Sequence, residues 1–107
     1  MKKQLTPEQM DFNYRVELAL KEYAPMSDIP LSLVMGKFGL RDIHEASRRA
    51  ADLQLPIPFY RHGSQKSEYY CSAKDLAEYM AIVQMAAIKE FREATNRKPQ
   101  FTYTQGA

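Results

Sequence analysis

Two prolines two residues apart, Pro56 and Pro58 in the stretch Leu55-Pro-Ile-Pro-Phe-Tyr-Arg61, constrain this chain more than any other feature. Each lacks a backbone donor and pushes the residue before it toward extended conformations, so no helix can run through the middle of the chain. Apolar residues recur at helical spacing on both sides of the break. Only the segment that follows the prolines pairs turn residues with β-favouring tyrosines.

Before the break the pattern predicts three helices. Thr6-Pro7-Glu8-Gln9 places a hydroxyl at an N-cap, proline at the first helical position and Gln three residues on. Phe12, Val16, Ala19/Leu20 and Tyr23 then recur until Pro25, which predicts a helix over 7–24. Met10, Tyr14 and Leu18 form a second stripe on the same segment, so this helix has two things to touch. Leu31, Leu33-Val34 and Phe38 follow Pro30 and end at Gly39, predicting a short second helix. Ile43, Ala46, Ala50 and Leu53 share one face of a third, over 41–54. With only Gly39-Leu40 and the start of the third helix between them, these two must cross steeply, as in a helix-turn-helix.

After the break the sequence reads as a two-stranded hairpin over about 57–61 and 67–71, with His62 to Lys66 at its tip. A long helix is expected from residue 72 or 73 to 96. Its main stripe is Leu76, Tyr79/Met80, Val83, Ala87 and Phe91, and a second stripe is Ala81, Met85 and Ile88. Residues 97–107 are polar, without periodicity, and are expected to be a flexible tail.

Length and charge narrow the function. At 107 residues the chain suits one domain, and 45% apolar with 26% charged residues is ordinary for a water-soluble protein. No apolar run approaches the roughly 18 residues of a membrane span, and the lysines of MKKQLTPEQ have no apolar stretch behind them, so a cytoplasmic protein is expected. Cys71 stands alone and cannot form an intrachain disulfide, and with His44 and His62 it gives no metal-site spacing. It is expected to be a small half-buried hydrophobe at a strand end. Nothing pairs a nucleophile with a positioned base, so neither an enzyme nor a cofactor is expected. The net charge of +2 is small but unevenly spread: residues 31–66 hold six Lys/Arg against three Asp/Glu.

With the Ile43/Ala46/Ala50/Leu53 stripe inward, the third helix turns Arg41, His44, Glu45, Arg48 and Ala51 outward, with Arg49 on a flank. Arginine can bind guanine bidentately and a small methyl can touch thymine, so this face suits a major groove. The alternative is a solvated face in which Arg41, Arg48 and Arg49 pair with Asp42, Glu45 and Asp52 at three- and four-residue spacing. The hairpin tip, Arg61-His62-Gly63-Ser64-Gln65-Lys66, offers cations, a hydroxyl and an amide to phosphates or a minor groove beside that helix.

Several segments also resemble a known family: IPL at 29–31, GL at 39–40, EASRRAADLQLPIPFYR at 45–61, SQK at 64–66 and DLAEYM at 75–80. In this order they are similar to the pyocin activator protein (PrtN-like) family of bacterial and prophage transcriptional regulators, over about residues 29–95. The resemblance implies a small transcriptional activator binding DNA upstream of bacteriocin or phage genes, with Arg48, Arg49, Arg61, Ser64, Gln65 and Lys66 as positions to watch. This sequence departs from the family in its helix at 7–24. It also has Ser67-Glu68-Tyr69-Tyr70 where a tryptophan-containing strand is frequent.

The expectation is therefore a mainly α protein with a small β-hairpin: a winged helix-turn-helix of the excisionase/activator-like kind over 29–96, an N-terminal helical extension over 1–28 and a long C-terminal helix. Double-stranded DNA is the expected partner, with base contacts from Arg41, His44 and Arg48 and phosphate contacts from Arg49, Arg61 and Lys66. A homodimer is expected: Met10, Tyr14 and Leu18 are a surface for a second subunit or another protein, and Ala81, Met85 and Ile88 are expected to pack against either the helix at 7–24 or a second subunit. Two alternatives stay open: an excisionase-like protein that bends DNA, and a phage or bacterial inhibitor that reuses the fold to grip a protein.

Overall fold

The computed structural model describes residues 4–63 and 67–95. The chain is mainly helical with a small three-stranded antiparallel sheet, in the order α1 (Pro7–Tyr23), β1 (Asp28–Pro30), α2 (Leu31–Val34), a 3₁₀ turn (Met35–Phe38), α3 (Ile43–Ala51), β2 (Tyr60–Arg61), β3 (Tyr69–Ser72) and α4 (Ala73–Thr95). The strand order is β1-β3-β2.

α1 starts as its sequence dictates. The Thr6 hydroxyl accepts from the Gln9 backbone N–H at 3.1 Å while the Gln9 amide oxygen accepts from Thr6 N–H at 2.9 Å, a reciprocal capping box. β1 is a strand the sequence reading missed. Three residues carry no readable alternation, and what makes them a strand is pairing: Ile29 opposes Cys71, and Pro30 opposes Tyr70. The boundary expected at residues 28/29 falls inside this strand.

The second helix is shorter than the expected 31–38. Its α-helical turn ends at Val34 and tightens into the 3₁₀ turn, which Gly39 closes at φ 79°. Glycine adopts this left-handed conformation at no steric cost. At the front of α2, Glu68 from the neighbouring chain segment does the capping: its Oε2 accepts from Ser32 N–H at 2.9 Å.

α3 is also shorter than the expected 41–54, and Leu53 is not a core residue. The Asp42 side chain caps its start by accepting from His44 N–H at 3.2 Å. At its end, Leu53 N–H donates to Ala50 O and Gln54 N–H to Arg49 O, at 3.2 and 2.8 Å. These two bonds make a Schellman motif in which Leu53 takes the left-handed position, at φ 58° and 86% exposed.

The paired part of the hairpin is Tyr60–Arg61 with Tyr69–Ser72, smaller than the expected 57–61 and 67–71. Ile57 and Phe59 pack on the core without joining the sheet. β3 runs directly into α4, where Ser72 Oγ accepts from Asp75 N–H at 2.9 Å and caps the helix.

Two apolar clusters make the core. Tyr23, Ile29, Val34, Cys71, Ala73 and Leu76 form one; Leu31, Leu40, Ala46 and Ala50 form the other. Phe38 and Phe59 touch both, edge to face at 5.8 Å, and join them into one interior. Cys71 is fully buried rather than half-buried, and burial, then Asp75 and Asp28, pushes its thiol up to about 12. A thiol so placed packs as a hydrophobe and gives no thiolate at neutral pH.

α1 lies antiparallel along α4. Met80 shares a groove with Leu18 and Ala19, Gln84 meets Arg15, and Met85 lies by Gln9 and Phe12, so position on α1 falls as position on α4 rises. The expected main stripe of α4 divides in two. Leu76 is buried and Tyr79 and Met80 half-buried, whereas Val83, Ala87 and Phe91 are exposed, because α4 runs past the end of the sheet domain. The second stripe turns toward α1: Ala81 is buried, and Met85 and Ile88 are half-buried. No helix among the described residues is long and apolar enough to cross a membrane.

Candidate nucleic-acid interface

α3 is positioned by its two buried alanines. Ala46 and Ala50 bring the helix close to Leu31 and Leu40, and small inner side chains leave the long ones outside. Arg41, His44 and Arg48 are exposed, as expected from the wheel. No ion pair of Arg41 or Arg48 is found among the described residues. Of the pairings in the solvated-face alternative, one is present: Arg49 donates from Nε and Nη2 to Glu45 Oε2 at 3.2 and 3.0 Å. Asp42 is occupied as the helix cap.

On the hairpin, the Arg61 guanidinium carbon lies 4.2 Å from the centroid of the Tyr69 ring, its cross-strand neighbour. Such stacking holds a cation in place while leaving its N–H groups outward, and is worth about 0.5–1 kcal/mol at an exposed site. Arg61 and the α3 face are thus fixed on elements that share one core, since Tyr69 packs against the Leu31/Ala46 cluster.

His62 has a different setting from the expected outward tip. Its Nε2 lies 3.1 Å from Asp28 Oδ2, and its ring lies 5.4 Å from both Tyr60 and Tyr70. The Tyr60 hydroxyl donates to the other Asp28 oxygen. The group ties the end of β2 to the start of β1. The Tyr60 bond, ahead of His62, holds the Asp28 carboxyl below the ordinary carboxylate range against the opposing effect of burial. Burial first, then Asp28, pushes the Tyr60 phenol up to about 12. Ser64, Gln65 and Lys66, expected at the hairpin tip, lie outside the described residues, as do residues 97–107.

The six residues expected at an interface fall into two sets. Met10, Tyr14 and Leu18 are 52%, 59% and 47% exposed on the outer side of α1. Ala81, Met85 and Ile88 belong to the side of α4 that packs on α1, so the same chain supplies their partner. Among the described residues, no group of three or more His, Cys, Asp or Glu side chains is placed to hold a metal.

Glu68, Asp28 and Tyr60 organise this region and were not singled out from the sequence. Their roles depend on β1 and on the strand register, and neither leaves a local pattern. No protein-family model matches the chain, and no curated protein or solved structure matches it.

Proposed function

We propose that this chain is a sequence-specific DNA-binding transcriptional regulator, an activator of prophage or bacteriocin genes, built on a winged helix-turn-helix. α2 and the Gly39 turn support α3, α3 enters the major groove, and the β2–β3 hairpin is the wing. The observation that carries this reading is the division of α3: Ala46 and Ala50 are buried while Arg41, His44 and Arg48 are exposed on the other side, with a stacked arginine on the adjoining hairpin.

In this reading Arg41, His44 and Arg48 meet base edges, where a bidentate arginine–guanine contact discriminates by about 1–3 kcal/mol. Arg61 and Lys66 meet phosphates. Arg49 joins them by leaving Glu45, which costs little because an exposed pair of this kind is worth about 0.3–0.5 kcal/mol. His62 positions the wing through Asp28 and is not assigned a DNA contact. The genes controlled follow from the resemblance to pyocin activators alone.

The test is recovery of genomic DNA bound to the tagged protein, then titration of the recovered site and a scrambled duplex at two salt concentrations. Preference for the recovered site is the expected result. Equal, strongly salt-dependent binding to both duplexes would leave only a basic surface.

A second reading, a protein-binding inhibitor that reuses the fold, is favoured by the exposed Met10, Tyr14 and Leu18 on α1. It predicts a stoichiometric host protein in pull-downs after nuclease treatment, together with no preferred DNA site.

A further inference from the structure

The sheet domain does not use the whole of α4. Met80, Val83 and Ala87 follow one another at three- and four-residue spacing and so share one side of the helix. Met80 is half-buried where this side meets the core, and Val83 and Ala87 continue it into solvent. Beside them runs a groove of about 220 Å³ between α1 and α4, lined by Tyr14, Leu18 and Met80 among others. Ridge and groove therefore lie on the same side of the antiparallel α1–α4 pair.

Three of the polar side chains lining this groove, Asp11, Arg15 and Gln84, already satisfy one another. Arg15 donates to Asp11 at 3.2 Å and to Gln84 at 2.9 Å across the groove floor. Covering these three leaves no lone charge stranded, and Glu22, which also lines the groove and is exposed, keeps its carboxylate in water at the rim.

We propose that a second copy of this chain covers this surface, the Val83/Ala87 ridge of each copy entering the Tyr14/Leu18 groove of the other about a two-fold axis. The proposal goes beyond the DNA-binding reading and does not depend on it. A surface that carries both a ridge and the groove to receive it is self-complementary, which is what a two-fold interface requires. Small Ala87 lets the helices approach closely at the centre.

The area agrees with this occupant. Tyr14, Leu18 and Val83 are 59%, 47% and 47% exposed. With large side chains presenting on the order of 200 Å² each, these residues, Met80 and Ala87 offer roughly 400 Å² of apolar surface per copy. Two copies would bury roughly 800 Å² of it, and at about 60% apolar content the whole interface is on the order of 1,300 Å². Specific, stable pairs bury about 1,200–2,000 Å².

Sedimentation equilibrium of the full chain over a range of micromolar concentrations tests the proposal, with helix content checked by circular dichroism. The wild type is expected to be a dimer. Ala87→Glu and Leu18→Glu, on the two helices, should each weaken dimerisation about tenfold or more with helix content unchanged. Ile82→Glu should leave the dimer intact: Ile82 is 57% exposed, but it lies on another side of α4. A wild type that stays monomeric would overturn the proposal, as it would if another occupant covered the groove. So would a dimer that Ala87→Glu and Leu18→Glu leave unchanged, or one that Ile82→Glu breaks as readily as they do.

Discussion

Arg61 stacks on Tyr69 across the β2–β3 pair, with its guanidinium carbon 4.2 Å from the ring centroid. The tyrosine is half-buried against the Leu31/Ala46 cluster, so the cation is braced by the same interior that holds α3. In the proposed function Arg61 contacts phosphate, a contact that carries no sequence information. Arg61→Ala should therefore weaken cognate and scrambled duplexes alike and lower the salt slope by about 1. Tyr69→Leu should reproduce part of that loss with Arg61 still present. Anisotropy titrations at several salt concentrations measure both.

Glu68 links the β3 end of the hairpin to α2 through the bond from Ser32 N–H. α2 has only four residues and begins after Pro30, which offers no capping side chain. Glu68→Ala should cost roughly 1 kcal/mol, the usual worth of an N-cap, with Glu68→Gln retaining much of it. Urea unfolding monitored by circular dichroism gives the values.

Leu53 predicts the opposite sign. A branched side chain in the left-handed region is strained by about 1–2 kcal/mol, and at 86% exposure Leu53 recovers little by burial. Leu53→Gly should raise stability by about 1 kcal/mol, because glycine suits the left-handed position of a Schellman motif. A fall in the urea midpoint would show that Leu53 contributes contacts that offset the strain.

Asp28 and Tyr60 set the pH range over which the sheet edge holds. The lowered Asp28 carboxyl contributes stability above its ordinary value of 3.8, and that contribution is lost as pH falls through its lower folded-state value. The raised Tyr60 phenol contributes below its ordinary value of 10.0, and this is lost as pH rises toward about 12. Asp28→Asn should flatten the acid limb of a stability profile, and Tyr60→Phe the alkaline limb. Unchanged limbs in the variants would place those losses at other groups.

What the sequence made legible were features written in neighbouring residues. The Thr6/Gln9 capping box, the Gly39 stop and the outward turn of Arg41, His44 and Arg48 each follow from spacing along one segment. β1 was missed because Asp28, Ile29 and Pro30 become a strand only against Ser72, Cys71 and Tyr70, 40 to 44 positions away. The setting of His62 was missed with it, since Asp28 is its partner. Leu53 was placed inward because helical periodicity carries no sign of where a helix stops, and no glycine marks this end. On α4 the stripe through Val83 and Ala87 was read as core because periodicity reports an apolar face but not what, if anything, covers it.

The most direct test of the proposed function is the affinity of Arg48→Ala for the recovered DNA site, beside wild type at fixed salt. Arg48 is exposed on α3 and outside the buried clusters, so its removal should leave the fold intact. A loss of about 1–3 kcal/mol on the recovered site, with the scrambled duplex much less affected, is the predicted result. Unchanged affinity and unchanged preference would contradict the assignment of α3 as the helix that reads the DNA.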